Sequence, residues 1–229
     1  MRQFLTPERL WAGANAPDED RVTPHVLWLP HDQPHVLSYF ARFRETLAPY
    51  RDFITPVAEP DLHMTIQKIE PHDGDGRRID AECLLRAAPA VQEALAAAAP
   101  IRIEIGPPRA SASAALADVW PEDELHQLYR SVRAGLESAG LALPRPADWF
   151  WGHMTGGYGL KDTSTPDLAA RSDRLASELG RALRPGARVA ATVSSLWLVL
   201  ERQDPVANTY TFDRVQEIHL GRTEPGQGS

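Results

Sequence analysis

From Val22 to Leu29 the chain is β-branched and apolar and stops at Pro30, a pattern that predicts a strand. Val36, Phe40, Phe43 and Leu47 then recur at helical spacing, and Pro49 closes that segment. Asp61 to Ile69 alternates between polar and apolar as a strand does. After the turn His72-Asp73-Gly74-Asp75-Gly76, a second helix carries Leu84, Ala88, Val91 and Leu95 on one face, and Pro89 should kink or split it. Ile101 to Ile105 alternates cleanly, with Ala114 to Val119 as its expected partner strand. A third helix follows through Leu125, Leu128, Val132 and Leu136, with Gly140 just past its end. Trp149 to Thr155 reads as a strand. Thr165-Pro166-Asp167 has the form of an N-cap, a first-position proline and an acidic first turn, and Leu168, Leu175, Leu179 and Leu183 continue that helix. Strand-like runs from Val189 to Leu200 and from Tyr210 to Leu220 complete the pattern.

Strands and helices thus come in similar order in each half. That mixture predicts an α+β fold of two lobes, each an antiparallel-rich sheet with helices on its outer face and a cleft between them. The first 21 residues read as a loose N-terminal extension ending in the polar stop Pro17-Asp18-Glu19-Asp20. Residues 22–222 then form one bilobal domain, and 223–229 a frayed tail.

Each half also holds the tripeptide His-Met-Thr, at His63-Met64-Thr65 and His153-Met154-Thr155. Alternation puts Asp61, His63, Thr65 and Gln67 on one strand face, and Trp149, Trp151, His153 and Thr155 on one face of the other. Both methionines fall on the opposite, buried side. Eight histidines and twelve threonines in 229 residues would give about 0.4 His-x-Thr matches by chance, so neither motif alone says much. Their identity and their placement on corresponding strands say more. Two imidazoles facing one ligand suit phosphodiester chemistry, because near neutrality one accepts a proton while the other donates one. The threonine hydroxyls can donate to the non-bridging phosphate oxygens. The design requires no metal and no cofactor.

Charge and composition narrow the partners. Lys plus Arg number 24 against 31 Asp plus Glu, a net charge of −7. That argues against a clamp on a long nucleic-acid tract, where neutralised phosphates supply the affinity, and leaves room for a local basic pocket. Cys83 is the one cysteine, which excludes a disulfide framework and a cysteine-based zinc site; on a helix it reads as a small core residue. No signal pattern opens the chain and no apolar run approaches a membrane span, so a cytoplasmic protein with no membrane partner is expected, as a monomer by default.

The pair of motifs resembles those of the 2H phosphoesterase superfamily, and more closely its LigT-like branch, often labelled 2′-5′ RNA ligase. The resemblance runs from about Val22 to Leu220. It implies two pseudo-symmetric lobes and the opening of 2′,3′-cyclic phosphates or cleavage of a related small nucleotide or RNA-terminus phosphodiester. It places the catalytic histidines at His63 and His153 and the phosphate-binding hydroxyls at Thr65 and Thr155. Ile66 fits the hydrophobic fourth position of that motif, and Gly156 departs from it. With Gly157 and Gly159 nearby, that departure is expected to open the second strand early and widen the site.

Other features are read against plainer alternatives. Trp151 and Tyr158 are candidates for stacking a base, or for packing at the lobe interface. Lys68 and Gln67 read as a solvated strand end rather than phosphate ligands. Gly156-Gly157-Tyr158-Gly159 could offer backbone N–H groups to phosphate, or be a simple turn. Asp73-Gly74-Asp75-Gly76 evokes a calcium loop, but its twelfth position is Leu84 and the reading fails. The other histidines show no metal spacing, and Ser194-Ser195 lacks a nucleophile elbow. Two rival functions stay open: a nucleotide- or RNA-end-binding module with little turnover, and a 2′-5′ RNA ligase or transferase.

Overall fold

Strand β1 (Val22–Trp28) is buried at every position, as a strand must be when it lies inside a sheet with both faces covered. In this computed structural model, which describes residues 1–6, 9–10, 17 and 21–221, β1 lies between β3 (Met64–Lys68) and β8 (Ser195–Asp204), with β9 (Thr209–His219) beyond. A second sheet has the order β2 (Ile54–Pro56), β6 (His153–Gly159), β5 (Ala114–Trp120), β4 (Ile101–Ala110) and β7 (Val189–Val193). Every pairing in both sheets is antiparallel. The expected α+β class, with one sheet per lobe, is what forms.

The lobes are not the two halves of the chain. Helices α2 (Ala81–Ala94) and α3 (Glu122–Ser138) pack together on the first sheet, while α1 (Pro34–Leu47) and α4 (Pro166–Ala182) cover the second. The run expected as one strand from Val189 to Leu200 breaks at Ser194: β7 belongs to the second sheet and β8 to the first. Each lobe therefore draws on both halves of the chain, so neither is a local unit of sequence.

The helix signals act as expected at two starts. The Asp80 side chain accepts from the Cys83 N–H at the head of α2, and Thr165 accepts from Leu168 N–H at the head of α4. α2 runs unbroken through Pro89, contrary to the expected split. Cys83 is half-buried and packs against the core. None of the described helices is long and apolar enough to cross a membrane.

The N-terminal residues are not loose where they are described. Met1 donates its amino group to the Thr163 and Ser172 hydroxyls, and Phe4 donates its N–H to the Gly159 carbonyl. Leu5 and Leu10 are buried. Asp18 to Asp20, and the tail from 222 onward, lie outside the described residues.

The motif strands share one irregularity. Leu27 pairs with Thr65 and Val26 with Gln67, so Ile66 is an extra residue in β3. Leu116 pairs with Thr155 and Ala115 with Gly157, so Gly156 is the extra residue in β6. Each strand therefore bulges just after its threonine, and a bulge re-aims the side chains beyond it. Gln67 falls opposite core residue Val26 and leaves the face of Thr65, correcting the simple alternation. Lys68 falls opposite His25, on the side turned away from α2 and α3.

Gly156 does not open the strand, which continues to Gly159. A Cβ at Gly156 would stand 2.7 Å from the Phe43 ring of α1. The aromatic ring thus occupies the space that a fourth-position side chain would take, on the helix side and away from the cleft. Phe43 is fully buried and stacks on Phe40 at 5.6 Å; burial of such a ring contributes about 2–3 kcal/mol. Gly156→Val should lower stability by about 1–3 kcal/mol through overpacking, read from urea unfolding midpoints. The same substitution should cost less in a Phe43→Ala background; equal costs in the two backgrounds would contradict the packing explanation.

Candidate active site

His63 stands immediately before β3, after a single 3-10 turn at Glu59–Asp61, and His153 is the first residue of β6. The strands expected at Asp61 and Trp149 begin later, and both imidazoles sit at strand entrances. His63 Nδ1 lies 2.8 Å from Asp61 O, and His153 Nδ1 lies 3.1 Å from Trp151 O. A carbonyl only accepts, so each Nδ1 carries the hydrogen and each Nε2 is the atom left for chemistry. The two rings are thus held in the same tautomer by the same bond to residue i−2.

Strands β3 and β6 lie in contact, the charge of His153 acts on His63, and that of Lys68 acts on both. The two motifs, 90 residues apart in sequence (153 minus 63), therefore share one site. Thr65 is half-buried and Thr155 nearly buried.

Around His63 the walls are apolar and cationic. Its ring meets Phe212 edge-on at 4.6 Å between centroids. Burial lowers its pKa to about 4, against the pull of the Asp61 carbonyl and with added repulsion from His153 and Lys68. His63 is neutral at pH 7. Around His153 the walls differ. Asp118 is its partner across the β5–β6 ladder. Arg109 grips Asp118 through two bonds of 2.8 and 3.1 Å, and Trp151 Nε1 donates to the same carboxylate at 2.8 Å. The Trp151 ring stacks on His153 at 4.2 Å, and the Arg109 guanidinium lies 5.3 Å from its centroid. Burial lowers the His153 pKa too, but here the Asp118 carboxylate pulls upward.

The candidate stackers part company. Trp151 remains 47% exposed, whereas Tyr158 is buried against Phe4 at 4.6 Å and Tyr210 at 5.1 Å. The glycine-rich stretch has its backbone engaged elsewhere: Gly159 N–H donates to Ser113 O, and the Gly156 and Gly159 carbonyls accept from Val57 and Phe4. Beneath the site, His25 and Glu201 are fully enclosed with side chains 3.9 Å apart. Burial drives the His25 pKa down and that of Glu201 up, so it disfavours the charged form of both groups. Among the described residues no group of three or more His, Cys, Asp or Glu side chains is arranged to hold a metal ion.

Sequence reasoning misses Arg109 and Asp118. Lys68 is exposed, as the solvated-end reading has it, and the β3 bulge puts it on the side of His25, where its charge acts on both site histidines. Arg109 and Asp118 meet His153 only through the register of three strands, for which the local sequence carries no signal.

The family model for the 2′-5′ RNA ligase superfamily matches residues 30–205. The chain belongs to that superfamily. Solved structures agree in fold. TT0787 of Thermus thermophilus is 17% identical over 88% of this chain and 100% of its own, with a TM-score of 0.58. LigT of E. coli, in its complex with 3′-AMP, is 14% identical over 87% and 98%, also at 0.58. ATU0111, a conserved protein of unknown function from Agrobacterium tumefaciens, is 11% identical over 85% of both chains, at 0.54. At such identities the likeness speaks for the fold alone. No curated protein matches the sequence.

The depressed His63 pKa has a consequence for stability. The unfolded imidazole takes up a proton near pH 6.5 and the folded one only near pH 4. Its contribution is thus full above pH 6.5 and is lost as pH falls toward 4. His63→Gln should therefore lose less stability than the parent between pH 7 and pH 5, measured by urea unfolding. An equal loss would contradict a neutral ring.

Proposed function

We propose that the protein is a metal-independent phosphodiesterase that hydrolyses a 2′,3′-cyclic phosphate or a related small nucleotide or RNA-end phosphodiester. The observation that carries this reading is the pair of imidazoles at the entrances of the contacting strands β3 and β6, each bonded through Nδ1 to a carbonyl and so presenting Nε2, with the charge of His153 acting on His63. In the reaction one neutral Nε2 takes a proton from water as the water oxygen bonds to phosphorus. The other ring, protonated, gives its Nε2 proton to the ribose oxygen as the P–O bond to that oxygen breaks. One water is consumed, a phosphomonoester forms, and proton exchange with solvent resets both rings.

Thr65 and Thr155 donate to the non-bridging oxygens, and Lys68 offsets the charge that gathers there. Lys68 and Arg109 give the site positive character inside a chain of net charge −7. Trp151, half-exposed beside His153, is suited to contact a base, while Tyr158 is buried against Phe4 and Tyr210. The small-nucleotide reading is supported by the E. coli LigT structures, which hold 3′-AMP, NADP+ and ATP. We place the protein in the cytoplasm.

The test is conversion of nucleoside 2′,3′-cyclic phosphates in the presence of a chelator, with products separated by chromatography. A single monoester is expected, and His63→Ala and His153→Ala should each lower turnover about 10²–10⁴-fold while keeping the folded circular-dichroism spectrum. Full activity in either folded variant would contradict the assignment, as would complete loss of activity to chelation. Thr155→Val should reduce turnover about 10-fold to 10³-fold, with no effect on product identity.

A further inference from the structure

We propose that Asp118 is a positioning residue for His153: through Trp151 it fixes the imidazole, and by its charge it keeps that ring the proton carrier, so that His153 is the general acid and His63 the base. This assignment rests on the proposed phosphodiesterase reading and goes beyond it, since two identical motifs do not by themselves divide the roles.

The geometry is a chain of directed contacts. Arg109 Nε and its terminal nitrogen donate to both carboxylate oxygens of Asp118, and Trp151 Nε1 donates to one of them. The indole so held lies at an interplanar angle of 24° on the His153 ring. Trp151 also supplies the carbonyl that binds His153 Nδ1. One residue therefore fixes the imidazole by its backbone on an edge and by its ring on a face, and Asp118 fixes that residue. Such a tryptophan orients the histidine whether or not it also meets a base.

The charges on each side differ. His153 faces Asp118 from β5, Arg109 from β4, Lys68 from β3 and His63 across the cleft. His63 faces Lys68, His153 and, from β1, His25, all cationic when charged. Burial disfavours protonation of either ring, and only His153 has a carboxylate to counter it. Asp118 is itself ionised: burial pushes its pKa up, but the bonds from Arg109 and Trp151 and the nearby cations outweigh that and hold it below the ordinary value. Two like groups in unlike surroundings divide the acid and base roles.

Opposite charge changes test this. Asp118→Asn removes the carboxylate while keeping an oxygen for the indole N–H, and Arg109→Gln removes the cation. On the full chain without substrate, NMR titration of the imidazoles should show His153 titrating at lower pH in Asp118→Asn and at higher pH in Arg109→Gln, with His63 little moved. With a 2′,3′-cyclic phosphate, the alkaline limb of the pH–rate profile should shift in the same two directions. At the parent's optimum kcat should fall about tenfold in Asp118→Asn, with KM changed less than twofold. A merely structural role would not give shifts of opposite sign. An unmoved His153 titration in either folded variant, or a shift confined to the acidic limb, would overturn the proposal. Should Asp118→Asn fail to fold, the upward shift in Arg109→Gln carries the test alone. Titrations that move as expected in a parent without turnover would overturn the phosphodiesterase reading and the acid role together, and leave the positioning role standing.

Discussion

At the Asp61 and Trp151 carbonyls the chain makes the same bond twice, to the Nδ1 of the histidine two residues on, at 2.8 and 3.1 Å. A carbonyl cannot donate, so the tautomer, the ring plane and the outward nitrogen are all set by one contact at each site. The contact is local and does not depend on the ladder: His25, inside β1, makes the same one to the Thr23 carbonyl at 3.0 Å. What distinguishes the other two is their place, His63 one residue before β3 and His153 at the first position of β6. From there the strands aim the rest. The threonines follow on the cleft side, the methionines go under the helices, and the two bulges turn Lys68 and Tyr158 back toward the site.

Pseudo-symmetry supplies two equal imidazoles, and asymmetry in the walls makes them unequal. The first sheet surrounds its histidine with Phe212, Lys68 and the buried His25–Glu201 contact. The second surrounds its histidine with an arginine–aspartate–tryptophan cluster. Interleaving of the lobes binds these two environments into one body. Because β8 and β9 return to the first sheet while α1 covers the second, neither lobe can form without chain from the other half. The facing of the two rings is thus a product of the whole fold.

Much of this was legible in the residues. The four helices and the Thr165 cap appear where the pattern puts them, and the two His-Met-Thr segments lie on strands as expected, though those strands begin later. The illegible parts had a common cause. Bulges at Ile66 and Gly156 shift register by one residue, and nothing local announces them. Gly156 looks like a gap in the motif because its filler, Phe43, comes from a helix more than a hundred residues earlier in the chain. The break at Ser194 hides inside an unbroken apolar run whose two parts serve different sheets. Arg109 and Asp118 come into view only when strand pairing places them beside His153.

The central claim is that both lobes build one phosphate site, and ligand titration addresses it directly. Imidazole resonances of His63 and His153 would be followed while a nucleoside 2′- or 3′-monophosphate is added to the full chain. Both rings should shift along one binding curve with a common Kd, together with the backbone amides of Thr65 and Thr155. Shifts at one motif with none at the other, or two separate curves, would contradict the account.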